Sequence, residues 1–296
     1  MSRKNPKNLI SRQYEKRGLL AESLYRMRTN VGAVFGLAVL IVVVLLMIYT
    51  FFFVTYNDII AIDPANRYAP PSAAHIFGTD DMGRDLFLRT IYGSRYSLAV
   101  GFGAVTIGFI IGTFFGATAG YYGGVFEEIV MRASDVLASI PGLLLGMVIV
   151  TLLGNSLTNL MTAVGVSIIP MFVRMARAAV ISVKDDEFVE ASRAIGMSNF
   201  RIVFAQVLPN SLSPLIVLLT TRMGAAIIEA ASLSFLGFGI SVPTPEWGAL
   251  VSAGRSFMRN APHIALYPGL FIVITSFAFT LLGDGLRDAL DPKLKK

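Results

Sequence analysis

The stretch Asp185-Asp186-Glu187-Phe188-Val189-Glu190-Ala191-Ser192-Arg193-Ala194-Ile195-Gly196, followed shortly by Val207-Leu208-Pro209-Asn210, lies in the one extended charged segment of the chain interior, Ser182 to Asn210. Phe188 to Ile195 are good helix formers. Asp185, Asp186 and Glu187 stand at the start of that helix, where its dipole favours acids. Gly196 permits a sharp exit. Met197 to Val207 is predicted as a second, amphipathic helix, with Phe200, Val203, Phe204 and Val207 at spacings of three and four. Pro209 is expected to end it, since proline cannot donate to the helix ladder. Charges and small residues on such a helix-turn-helix make a surface shaped to dock into another protein.

Outward from this segment the chain turns apolar. Over 296 residues it is 54% hydrophobic and only 15% charged, with a mean hydropathy of +0.66. About a quarter of an ordinary soluble domain is charged, so charge is what is missing. The charges gather between long apolar runs, as they must if helices of roughly 20 apolar residues cross a hydrocarbon layer about 30 Å thick. A large soluble core would instead leave a polar face on every surface helix.

About six spans are expected: Val31–Tyr56, Leu98–Tyr121, Val136–Gly154, Leu157–Met175, Ser211–Leu236 and Ile264–Leu282. The first follows a basic tail, residues 1–30, carrying Arg3, Lys4, Lys7, Arg12, Lys16, Arg17, Arg26 and Arg28. Directly before an apolar span, such a run reads as positive-inside anchoring rather than nucleic-acid binding. The apolar run is too long for a cleaved signal peptide, and no small-residue cleavage site follows it promptly. Residues 57–97 read as an external loop, 98–284 as a five-helix core carrying the segment 182–210, and 285–296 as a short tail. An even number of spans and basic residues near both ends place both termini in the cytoplasm. Trp247 falls in a second external loop, Gly237 to Pro262, as an interface residue.

The spacing of Glu190, Ala191, Gly196, Leu208 and Pro209 resembles the EAA loop of permeases from binding-protein-dependent ABC importers, written E-A-A-x3-G-x9-I-x-L-P. Ser192 departs from the second alanine and Gln206 from the isoleucine; serine is still small, and the helix has other apolar anchors. Gly78-Thr79-Asp80 with Gly83-Arg84-Asp85, Leu233-Ser234-Phe235-Leu236-Gly237, Pro245-Glu246-Trp247-Gly248 and Gly283-Asp284-Gly285-Leu286-Arg287-Asp288-Ala289-Leu290-Asp291-Pro292 are similar to the C-type permease subunit of dipeptide and oligopeptide importers. The likeness covers nearly the whole chain beyond the basic tail.

That resemblance implies an all-α integral membrane protein with the type I ABC importer permease fold, multi-pass in a prokaryotic inner membrane. It implies a coupling loop gripped by a cytoplasmic ATPase, with Glu190 as polar anchor, Ala191 and Ser192 allowing close approach, Arg193 beside them and Gly196 setting the turn. Its implied partners are membrane lipid, a homologous B-type permease, two ATPase subunits that use ATP and Mg, and an external substrate-binding lipoprotein. This chain itself would bind no cofactor. Nickel complexes and glutathione are cargoes of the same architecture.

No G-x4-G-K-[ST] phosphate loop, H-E-x-x-H or G-x-S-x-G motif is present, and cysteine is absent. His75 and His263 are expected to be solvated loop histidines, and nothing in the sequence supports a metal site. Within the spans, Gly108, Gly112, Gly116 and Gly120 form a four-residue column, either a tight helix contact or a pivot and pore wall. Glu229 is the intramembrane acid, a candidate for the pathway or gate, or for a packing contact with Arg222 or a partner chain. Asp135 is expected to pair with Arg132. The rival of another class, an ion-gradient transporter, calls for internal repeats that the sequence does not show. Nothing specific favours a non-transporting assembly factor.

Overall fold

A computed structural model describes residues 27–240 and 243–290. The basic tail up to residue 26 and residues 291–296 lie outside the described part. Helix α1, Val31–Phe53, is an unbroken apolar run that starts where the Asn30 side chain accepts from the Ala33 N–H at 3.0 Å. A one-turn helix α2, Tyr56–Ile60, is held by a capping box between Thr55 and Asp58.

Helix α3 spans Leu86–Tyr122, capped by Asp85, so its first three turns occupy sequence expected to be external loop. At 37 residues it is about 55 Å long, far more than a bilayer core needs. Its polar start hid it: Arg89, Arg95 and Ser97 belong to buried or partly buried contacts, not to a solvated loop.

The expected third span is also different. Gly123 and Gly124, both at positive φ, turn the chain into amphipathic helix α4, Gly124–Ser139. Helix α5, Gly142–Leu153, follows after a bend of 90°. Its 12 residues give about 18 Å, too short to cross alone. Pro141 and Gly142 therefore mark a change of direction, not a tolerated blemish near the start of one span. Among the described residues five helices are long and apolar enough to cross a membrane, or six if the bent pair is one span.

Helix α6, Leu157–Ile181, contains Pro170. The charged segment 182–210, the candidate lever, supplies α7, Glu187–Ala194, and α8, Asn199–Ile202, and leads into α9, Leu212–Leu233. Helix α10, Trp247–Gly254, precedes α11, His263–Leu290, which extends a further two turns past its expected end at Leu282.

The central contact joins α3 to α6. A Cβ placed at Gly112 would stand 2.5 Å from the Phe172 Cβ and 2.8 Å from the Ile169 carbonyl. At Gly108 it would meet Ile168 at 2.6 Å, and at Gly120 the Arg177 carbonyl at 2.8 Å. The glycine column is thus filled by side chains and backbone of α6. Val100 and Ala104 of α3, Leu160, Val164 and Phe172 of α6, and Leu215, Ala230 and Leu233 of α9 form the main core around it. Helix α11 packs on α9, and α1 on α11.

Candidate functional site: a docking lever and a helix charge pair

The lever is rooted from below. Val189, Ile202, Val203 and Val207 are fully buried and form one cluster with Ala117 and Tyr121 of α3 and Val180 of α6. Tyr121 donates its hydroxyl to the Asn199 side chain at 3.2 Å, and the Arg193 guanidinium lies over its ring at 5.4 Å. The Lys184 ammonium reaches the Gly120 carbonyl at 3.4 Å. Helices α7 and α8 are therefore packed directly on the C-terminal ends of α3 and α6.

Outward, the surface is Glu190, Ala191, Arg193, Ala194, Ile195, Gly196 and Phe200, all exposed. Ile195 is 77% exposed and Phe200 63%. Ser192 instead points inward, buried, with its hydroxyl donating to the Phe188 carbonyl at 2.8 Å. That inward position does not fit the close approach expected of Ser192. Gly196 has φ +78° with no atom near its Cβ position, so backbone conformation rather than space demands glycine there.

The second lever helix differs from its expected form. After Ile202 a π turn, Val203–Val207, carries the chain into the one-turn helix Leu208–Asn210. The Leu208 N–H bonds back to Val203 across the extra residue. Pro209 does not end the segment; the wider turn accommodates its missing donor, and only Ser211 interrupts the path into α9. Ile202 is buried and Phe200 exposed, so the burying face begins at Ile202 and not at Phe200 as the spacing suggests. Leu208 packs against both the lever cluster and the main core.

Two ion pairs clamp α4 to α6. Arg174 meets Asp135 at 3.0 Å, and Arg177 meets Glu127. Asp135 therefore pairs across helices and not with Arg132, which lies 3.9 Å from Glu128. Sequence reading missed this clamp, although acids on one helix facing two arginines three residues apart on another were its visible trace.

Glu229 sits half-buried on α9, where its Oε1 accepts from the Ser167 hydroxyl at 3.0 Å. A Cβ at Gly142, in the bend between α4 and α5, would come within 2.7 Å of that oxygen. Among the described residues no ion pair joins Glu229 to Arg222, so the expected contact is at most a longer-range one through charge.

The strings expected in the external loops are braces. Asp80 accepts from the backbone N–H of Met82 and Arg84 at 2.9 and 3.0 Å and from the Arg84 side chain at 2.7 Å. Neither histidine is simply solvated: His75 lies 2.8 Å from Asp85, and buried His263 lies 3.1 Å from the Thr79 carbonyl. Glu246 is buried and caps α10, accepting from the Gly248 and Ala249 N–H at 3.0 and 2.9 Å and from the Ser97 hydroxyl at 3.2 Å. Burial pushes its carboxyl above the ordinary range, partly offset by those donors. Trp247 is fully buried, not interfacial, with its ring N–H on the Thr90 carbonyl at 2.8 Å. Non-local contacts set these burials, and external loop composition concealed them. Among the described residues no group of three His, Asp or Glu is placed to hold a metal ion.

Residues 108–296 match the family described as "Binding-protein-dependent transport system inner membrane component". The chain belongs to that family of inner-membrane permeases. Residues 18–71 also match the "N-terminal TM domain of oligopeptide transport permease C". The permease is 44% identical over 93% of its length to the dipeptide transport system permease protein DppC of Alkalihalophilus pseudofirmus, covering 90% of that protein. It is 47% identical over 76% of its length to the glutathione transport system permease protein GsiD of Pectobacterium atrosepticum, covering 75% of it. Its fold resembles an inward-facing MetNI methionine ABC transporter, with a TM-score of 0.56 at 21% identity over 70% of this chain and 96% of the other. The permease is accordingly a multi-pass inner-membrane protein with the ABC importer permease fold, and its family implies ATPase and substrate-binding partners.

Proposed function

We propose that this permease forms half of a translocation pathway for di- and oligopeptides, and that ATP hydrolysis on two separate cytoplasmic subunits drives it through residues 182–210. A homologous B-type permease supplies the other half, and an external substrate-binding lipoprotein delivers the cargo. Both termini then lie in the cytoplasm, on the side of the lever, and neither ATP nor Mg is held by this chain. Glu190 and Arg193 serve as polar anchors beside Ala191, Gly196 sets the turn, and Leu208 and Pro209 carry motion into α9. Gly108, Gly112, Gly116 and Gly120 keep α3 and α6 moving as one unit.

One observation carries this reading. The lever shows Ile195 and Phe200 to solvent while its underside is built into the ends of α3 and α6. Apolar anchors on a charged helix-turn-helix suit a protein groove better than open water. The likeness to a dipeptide permease over most of the chain supports the peptide cargo. The glutathione permease likeness favours a second reading in which the peptide is γ-linked.

The test is uptake of labelled dipeptide and glutathione into proteoliposomes holding the assembled importer. Uptake is expected to require ATP inside, and Phe200→Asp combined with Ile195→Asp is expected to abolish it by releasing the ATPase subunits. Full uptake driven by an ion gradient without ATP would overturn the reading.

A further inference from the structure

Arg222 and Glu229 lie seven residues apart on α9, about 10 Å along the axis. Seven residues return to nearly the same face of a helix, and both side chains are half-buried. Neither charge has an ion-pair partner among the described residues, and the Glu229 carboxylate accepts a hydrogen bond only from the Ser167 hydroxyl. That hydroxyl also approaches the Val164 carbonyl at 2.7 Å. It carries one hydrogen, so two acceptors share it and the carboxylate is short of a donor. An under-compensated charge is costly within a membrane-spanning helix, which makes such a group a functional candidate.

Gly142 lets the α4–α5 bend pack directly against one oxygen of the Glu229 carboxylate, while along α9 the face between the two charges is open: exposed Ala225 lies between them, and Ser232 continues the same face. A lipid-facing strip would have no use for two opposite charges and a hydroxyl.

We propose that Glu229 and Arg222 read the two ends of a short zwitterionic peptide as it crosses. Glu229 receives the terminal ammonium, and Arg222 receives the terminal carboxylate, a planar acceptor that suits a guanidinium. The inference rests on the peptide reading above and names which peptides pass: those with both ends free. An extended chain advances about 3.3–3.6 Å per residue, so a separation of about 10 Å suits two or three residues with flexible side chains at either end. Arg222 is nearer the lever, so the carboxylate travels first.

The experiment uses the assembled importer in proteoliposomes with ATP inside. Its binding protein is loaded to equal occupancy with a free dipeptide, its N-acetyl form or its C-amide form. Wild type is expected to carry each blocked form about tenfold more slowly than the free peptide, the scale of one lost charge-assisted contact. Glu229→Gln is expected to slow the free peptide about tenfold while making no further difference to the N-acetyl form, and Arg222→Gln is expected to behave likewise toward the C-amide. Equal wild-type rates for all three forms would overturn the inference without needing any variant to fold. So would variants that keep their ATPase subunits on purification yet slow every peptide alike. Failure of wild type to carry any peptide would instead sink the peptide reading itself.

Discussion

Replacing Gly112 by alanine probes the contact on which the permease core depends. The added methyl would lie 2.5 Å from the Phe172 Cβ, 2.8 Å from the Ile169 carbonyl and 3.1 Å from the Val173 N–H. Ordinary carbon contacts need about 3.5–4.0 Å, so relief requires the two helices to part by roughly 1 Å. Two of the three obstructing atoms are backbone, and no rotamer change moves them. Overpacking of this kind typically costs about 1–3 kcal/mol. Alanine is the better helix former by roughly 1 kcal/mol, which offsets part of that cost. With backbone atoms as the obstruction the upper part of the overpacking range applies, about 2–3 kcal/mol, so a net loss of about 1–2 kcal/mol is expected for Gly112→Ala, measured as reduced unfolding stability in detergent. Gly124→Ala is the control for a different mechanism: no atom lies within 4 Å of its Cβ position, and its positive φ strains the backbone without disturbing the α3–α6 contact. A Gly112→Ala protein as stable as wild type would show that α3 and α6 do not approach as described.

Glu246 offers a pH test. Because burial raises its folded-state pKa, the fold binds more protons than the unfolded chain above about pH 4.3, and stability should decline as pH rises from there. Glu246→Gln should flatten that decline in thermal unfolding between pH 5 and 8, whereas Glu246→Ala should cost about 1–2 kcal/mol by leaving the first N–H groups of α10 without a cap. The α4–α6 clamp is checked by a double-mutant cycle on Glu127→Gln and Arg177→Gln, where a coupling of about 0.5–1 kcal/mol is expected for a partly exposed pair. Additive effects would mean that the pair contributes nothing.

The membrane class was legible because long apolar runs leave few alternatives, and the helix-turn-helix about Gly196 was legible because its turn chemistry is local. The π turn was not, since one extra residue at Val203–Val207 leaves the apolar spacing almost unchanged and keeps Val203 and Val207 buried. The bend at Pro141-Gly142 was visible as residues but not as a direction, because an apolar run reads the same whether it crosses or turns back. Arg89, Glu246 and Trp247 looked like external polar loop; only partners far along the chain, at Ile59, Ser97 and Thr90, make them interior. Glu229 was recognisable by sign and setting, but its sharing of a hydroxyl on α6 was not, as that contact crosses 62 positions.

The most direct measurement uses the absence of cysteine in the native chain. Ile195→Cys then provides a single thiol at the tip of the lever, in the assembled importer within intact cells or sealed vesicles. It should resist a membrane-impermeant maleimide applied from outside, and it should cross-link to an ATPase subunit with a yield that changes when ATP is added. Rapid labelling from the outer face, or a thiol that never meets a nucleotide-hydrolysing partner, would contradict the lever.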